Sequence, residues 1–190
     1  MLGFSIIRIV MIYPTASISV GILLLTILIL RKNGRVWTKG DTYFLEPSAN
    51  SPSTSQALLD PYSLSHVLHG FAFYALFHRL SPESNFLASL ALESAWEVVE
   101  NSSFIINKYR ANTASLDYYG DSILNTVGDL MSMVVGWFMA KHLPVRSSIA
   151  VFLAIELLML GVWKDNLSMN VIMLLYPIDA IKTWQLKAMK

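Results

Sequence analysis

Glu93, Glu97 and Glu100 stand at i, i+4 and i+7, a spacing that puts three carboxyls on one face of a helix. His66 and His69, at i and i+3, share a face of another. Asp121, Asn125, Asp129, Ser132 and Gly136 make a third stripe, in steps of four, four, three and four. Neutral imidazoles with several carboxylates form a ligand set suited to zinc, manganese or iron, and a bound divalent ion would offset the surplus negative charge. Without a metal the same groups can run acid/base chemistry, because a carboxyl in an apolar bundle can donate a proton that an imidazole accepts. A proton path is the third use. The plainer alternative is that the imidazoles only join packed helices by hydrogen bonds; three acids on one face are harder to explain that way.

These polar residues lie in an apolar chain. Of its 190 residues, 54% are hydrophobic and 14% charged, against about 25% charged in a soluble domain. The expected fold is all-α: an integral membrane helical bundle forming one domain, with room for five or six spans of about 20 residues and none for a separate soluble catalytic unit. Apolar segments at 9–30, 61–77, 86–106, 123–140 and 148–163 give five spans. Residues 31–60 read as a loop rich in Gly, Ser, Pro and Asn. Val171, Leu174, Leu175, Ile178 and Ile181 form a helical stripe broken by Pro177, read as a helix over about 167–188 lying at the interface. Pro14 is expected to kink the first span, and Pro61 to fall in the first turn of the second. The first segment is too long for the core of a secretory signal and lacks a small-x-small cleavage site, so it is expected to stay in place. With no cysteine there is neither a disulfide framework nor a thiolate metal site, and a net charge of +1 without a long basic run gives no nucleic-acid footprint.

No Lys or Arg falls inside the five segments, whereas Glu93, Glu97, Glu100, Asp129 and Glu156 do. A charged side chain at mid-membrane costs roughly 2.5–3.5 kcal/mol on insertion scales, so such residues turn to the bundle interior. If the spans alternate in direction, the second begins, the third ends and the fourth begins on the long-loop side. Asp60, His66, His69, Glu97, Glu100, Asn101, Tyr119, Asp121 and Asn125 then collect in one leaflet. His66 and His69 are the candidate metal ligands, and Glu97, Glu100, Asp121 and Asn125 the candidate catalytic residues. Arg110, with Tyr119 and Asn101, is a candidate for binding substrate, since paired guanidinium donors can hold a head-group phosphate; the alternative is an ordinary interface charge. Trp37, Tyr118, Trp163 and Trp184 near the segment ends read as interface anchors.

The motifs occur in order: Ser65-His66-Val67-Leu68-His69-Gly70, Trp96-Glu97-Val98-Val99-Glu100-Asn101-Ser102 and Tyr118-Tyr119-Gly120-Asp121-Ser122-Ile123-Leu124-Asn125, with Lys164-Asp165-Asn166-Leu167 beyond. They closely resemble a family of small bacterial multi-pass membrane proteins with no assigned function, over about residues 55 to 178. Members usually carry a His after the Ser-Gln pair, where this chain has Ala57, and cysteines in the first loop, where it has none. More distantly, the order Asp, His, Gly-Phe, Glu, Gly-Asp, Asn is similar to VanZ-like membrane proteins. That resemblance implies an envelope role and a polar intramembrane pocket, and no reaction.

Arg31, Lys32, Arg35, Lys39, Lys108, Arg110, Lys164, Lys182, Lys187 and Lys190 fall on the long-loop side, against Arg8, Arg79, Lys141 and Arg146 opposite. The positive-inside rule places the long loop, the pocket and the C-terminus in the cytoplasm. The leading reading is an inner-membrane protein whose His/Glu/Asp pocket, metal-dependent if it holds the divalent ion, binds or processes the head group of an envelope lipid or lipid-linked molecule. One alternative is a proton- or cation-handling carrier using Glu93, Glu97 and Asp129; another is a scaffold subunit for a second membrane protein.

Overall fold

A computed structural model describes residues 13–38, 44–113 and 117–188. They form eight helices: α1 (Pro14–Lys32), α2 (Ser63–Leu76), α3 (Pro82–Glu100), α4 (Ser103–Asn112), α5 (Ile123–His142), α6 (Val145–Trp163), α7 (Leu167–Leu175) and α8 (Asp179–Ala188). No strand occurs among the described residues; a single bridge pairs Leu45 with Leu59. By length and composition α1, α5 and α6 can each cross a membrane. Leu24, Leu25 and Leu28 on α1 and Leu153, Leu157 and Leu158 on α6 are exposed, as lipid-facing side chains are. The chain is an all-helical membrane protein. Residues 9–12 of the first expected span, Arg8, Lys39 and Lys190 lie outside the described residues.

Local chemistry sets the helix ends. Pro14 does not kink the first helix; it begins it, where its missing N–H costs nothing. Gly34, at φ +83°, closes α1, with Gly34 N donating to Arg31 O and Arg35 N to Leu30 O. Pro61 lies before α2 rather than in its first turn, because the Asp60 carboxylate takes the amides of Tyr62 and Ser63 and starts the helix there. The segment expected over 86–106 is two helices. Asn101 turns its side-chain amide back to Glu97 O at 3.0 Å, and Ser102 adopts an extended backbone and caps α4 through Ile105 N. Polar side chains that compete for backbone groups break a helix in this way. The C-terminal stretch is likewise parted, at Tyr176-Pro177-Ile178.

The closest packing is between α2 and α5, whose backbones meet at Gly70 and Gly136, while Gly128 meets the carbonyl of Leu58. Leu90, Leu130, Met133 and Trp137 fill the end of the bundle away from the long loop. There Trp137 Nε1 donates to Asn85 Oδ1 at 2.7 Å, and Asn85 Nδ2 to Tyr74 O at 3.0 Å. At the other end the finish of α1 meets the start of α5 through Ile123 N and Val36 O, and the finish of α6 meets the start of α2 through Tyr62 and Asp165. Glu156 does not face a cavity. Its two carboxylate oxygens accept Leu167 N and Ser168 N and so cap α7, an anion at a helix N-terminus.

Asp165 ties α8 down. Its carboxylate accepts Asn166 N (2.9 Å), Gln185 Nε2 (3.0 Å), the Tyr62 hydroxyl (3.2 Å) and Asn170 Nδ2 (3.3 Å). Burial nonetheless pushes its pKa up to about 6. A folded-state value above the unfolded one means that the fold holds the proton more tightly. The contribution is therefore full below about pH 4 and is lost as pH rises through about 6, by at most about 3 kcal/mol. Hydrogen-exchange protection in α8, corrected for intrinsic rates, is expected to fall between about pH 4 and pH 6.5 in the wild type and to stay level in Asp165→Asn. Equal slopes in both would assign the effect to another group.

Candidate functional site

The helix faces that carry the polar residues meet around a cavity of about 330 Å³ at the long-loop end. α2 supplies His66 and His69 from one face. Ser63 Oγ, one turn earlier, donates to Asp129 Oδ1 of α5 at 2.9 Å, and Asp129 Oδ2 lies 3.8 Å from His66 Nε2. Behind the two imidazoles stands Glu93 of α3, fully buried, with Oε1 2.5 Å from His66 Nδ1 and Oε2 3.0 Å from His69 Nδ1. Glu97, one turn further along α3, brings Oε1 to 3.5 Å from His66 Nδ1. It too is fully enclosed, and neither of its oxygens has a hydrogen-bond partner. The imidazole of His69 stacks on Phe73 and meets the edge of Trp96.

A second layer holds the loops in place. Asp121 Oδ2 accepts Asn101 Nδ2 at 2.8 Å and the Tyr118 hydroxyl at 3.0 Å, while Asp121 N donates to Asn101 Oδ1 at 2.7 Å. Burial raises the pKa of Asp121, and those hydrogen bonds oppose the rise. Asn125 donates through Nδ2 to Ala57 O at 3.0 Å and to Asp60 Oδ2 at 3.4 Å, which ties α5 to the long loop. Ser55, at φ +66°, gives its amide to Asp60 and accepts Ser122 N.

Of the residues singled out from the sequence, His66, His69, Glu100, Asp121 and Asn125 line the cavity. Glu97 sits behind His66, and Asn101 acts on Asp121 rather than on the cavity. Arg110 and Tyr119 are elsewhere: both are exposed, with the guanidinium 4.6 Å above the Tyr119 ring, and neither is among the lining residues. The break before α4 turns Arg110 outward. Tyr118, read as an anchor, lines the cavity instead. Asp60 and Asp129 also line it, and Glu93 joins the two histidines; Glu93 and Asp129 were named as functional residues from the sequence only for the carrier alternative, and Asp60 only as a member of the same leaflet. The signal for Glu93 was its place at the head of the i, i+4, i+7 stripe.

The cavity wall joins buried ionisable groups to half-buried or exposed apolar ones. His66, Asp60, Asp129 and Asp121 are among its polar residues, and Phe73, Leu92 and Trp96 line the rest together with Leu167, Val171 and Leu174 of the C-terminal segment. Leu174 also packs on Ile105 and Tyr109 of α4.

Residues 32–187, which contain all of these groups, match a family described as a protein of unknown function (DUF2585). The chain belongs to that family. It is 43% identical over 171 residues to a UPF0314 protein of Rhizobium meliloti, covering 87% of each chain. A UPF0314 protein of Brucella anthropi is 48% identical over 135 residues, 69% of each chain, and one of Paracoccus denitrificans 44% identical over 154 residues, 79% of this chain and 80% of the relative. No solved structure matches the chain. The match to DUF2585 begins at the last residue of α1 and ends one residue before the end of α8, so it takes in every residue that lines the cavity.

Proposed function

We propose that this DUF2585 protein is a multi-pass inner-membrane protein that takes the head group of an envelope lipid, or of a lipid-linked molecule, into the cavity and acts on it there. The observation that carries this reading is the pairing, in one cavity wall, of buried ionisable groups with half-buried or exposed apolar side chains of α2, α3 and α7. A head group would meet imidazoles and carboxyls while its chain stayed among Leu, Val, Phe and Trp side chains, the usual pairing of apolar lining with a few placed polar groups. His66 and His69 then face the substrate together with Glu100, and Asp121, Asn125 and Asn101 act as positioning residues. Arg110 and Tyr119 are assigned no contact with substrate in this reading. The packed cluster of Leu90, Leu130, Met133 and Trp137 closes the far end and favours a one-ended pocket over a carrier.

Val171 lines the cavity and is 46% exposed, so a larger side chain there narrows the entrance without displacing the core. Detergent-purified wild type is expected to retain one lipid class, enriched over bulk membrane by mass spectrometry, and Val171→Trp to retain about tenfold less. Lipid in bulk proportions in the wild type, or undiminished in the variant, would count against the reading.

A further inference from the structure

The donor atoms behind the cavity suit a cation better than they suit one another. Two imidazole nitrogens, His66 Nδ1 and His69 Nδ1, face the single carboxylate of Glu93, at 2.5 Å from Oε1 and 3.0 Å from Oε2 respectively. A neutral imidazole carries one N–H. If His66 Nδ1 gives its proton to Glu93, Glu97 gets none; if it gives the proton to Glu97, Glu93 loses a donor. Either way one wholly buried acid is short of a partner, and the one that lacks hydrogen bonds on both oxygens is Glu97. Leaving a buried carboxylate unpaired is costly enough that the site must supply a cation or a proton.

We propose that His66, His69, Glu93 and Glu97 bind one divalent first-row transition-metal ion of the zinc class. The two imidazole planes stand at 79° with centroids 5.1 Å apart, so their nitrogens approach a common point from different directions. One ring nitrogen of each histidine and an oxygen of Glu93 all lie within 4.8 Å of one another. Bonds of 2.0–2.1 Å in a tetrahedron set donors about 3.3 Å apart. His69 Nδ1 lies 3.0 and 3.2 Å from the two Glu93 oxygens and His66 Nδ1 3.5 Å from Glu97 Oε1, near that value, while the 2.5 Å contact must open. Two carboxylates cancel the charge of the ion, which leaves a neutral buried centre in an interior without Lys or Arg. Asp129, held by Ser63, stands behind His66 Nε2, as a carboxylate commonly stands behind a ligating imidazole to fix its ring and tautomer. Glu100, which forms a second close trio with His66 and Glu97, lines the cavity beside this centre.

The assignment deepens the proposed function, since a metal bound behind the cavity would fix the two imidazoles that line it, but it does not depend on a lipid. Full-length protein in detergent, stripped with a chelator and given no added lipid, is titrated with Zn2+ and, for its visible spectrum, with Co2+. One equivalent is expected to bind, with the absorption of a four-coordinate Co2+ centre and a rise in the unfolding temperature. Glu97→Gln keeps the side chain's shape and removes the unpaired acid. Its metal-free form is therefore expected to melt no lower than metal-free wild type, while its affinity for Zn2+ falls by about 100-fold or more, as does that of His69→Gln. A purely structural Glu97 would give the opposite change in melting temperature. Absence of saturable binding in the wild type, or unchanged affinity in whichever of the two variants folds, would overturn the proposal. Metal binding with no retained lipid would instead discard the lipid reading and leave this one standing.

Discussion

Gly136→Ala is expected to lower the unfolding temperature of the detergent-solubilised protein by about 6–12 °C, whereas Gly21→Ala should leave it within about 2 °C of wild type. A methyl at position 136 would be forced onto the carbonyl oxygen of Val67, with the carbon and Cα of that residue next in line. Across the same contact a methyl at Gly70 would strike Met133 O and Trp137 N. Every obstacle is backbone, so no rotamer change relieves the overlap and α2 must move off α5. Overpacking typically costs about 1–3 kcal/mol, and the upper part of that range applies where nothing flexible can yield. Gly21 lies on α1 with nothing within 4 Å, and an alanine there adds only helix propensity. Because α2 carries both histidines, the loss should extend to metal affinity. Equal melting temperatures for the two variants would show that α2 and α5 are not held at this distance.

The other large effect is expected at Asp60. Its carboxylate accepts Ser55 N and Tyr62 N at 2.8 Å, Ser63 N at 3.2 Å and Asn125 Nδ2 at 3.4 Å. Asp60→Ala removes the side-chain acceptor of Ser55 N and Tyr62 N, while Ser63 N keeps Asp60 O and Asn125 Nδ2 keeps Ala57 O, at about 1–3 kcal/mol for each donor that finds no other partner. Two such losses, roughly 2–6 kcal/mol, are a large part of the stability of an ordinary domain. The long loop should come away from α5, and limited proteolysis between residues 44 and 62 should become rapid. Asp60→Asn keeps one acceptor oxygen for the start of α2 and turns an amide toward Ser55 N and Asn125, so it should fall between wild type and alanine. Identical cleavage of the alanine variant and the wild type would remove Asp60 as the anchor.

Helical periodicity explains why much of this was legible in advance. Spacings of three and four put Glu93 with Glu97, His66 with His69, and Asp121 with Asn125 on single faces whatever else the chain does, and the absence of internal Lys and Arg forces those faces inward. Spacing says nothing about which partner a side chain reaches once there. Glu93 and Glu97 differ by one helical turn, yet one spans both imidazoles and the other has no hydrogen bond, a distinction set by the angle at which α2 crosses α3. The break at Asn101-Ser102 was hidden because Phe104, Ile105 and Ile106 continue the apolar run past it, and that break decides where Arg110 goes. The pairing of Gly70 with Gly136 was equally out of reach, since a glycine looks the same in sequence whether it faces open space, as Gly21 does, or a neighbouring backbone.

The registration of α2 on α5 fixes how deep the chemistry lies. The two helices run in the same direction, with Ser63 level with Asp129, Val67 with Gly136, and Gly70 beside Met133 and Trp137. α5 begins six residues before Asp129, at Ile123, whereas α2 begins at Ser63 itself. With a rise of 1.5 Å per residue, the first turn of α2 is sunk roughly 9 Å below that of α5. The chain from Ser55 to Tyr62 therefore descends beside α5, below the level of its first turn, as irregular backbone. Irregular backbone survives at such depth only when protein groups replace water as its partners. The contacts of Ser55, Gln56, Ala57 and Asp60 with Ser122 and Asn125 meet that requirement. The long loop is thus less a connection between spans than a packed part of the bundle, and through Ser55 and Asp60 it supplies part of the wall beside His66.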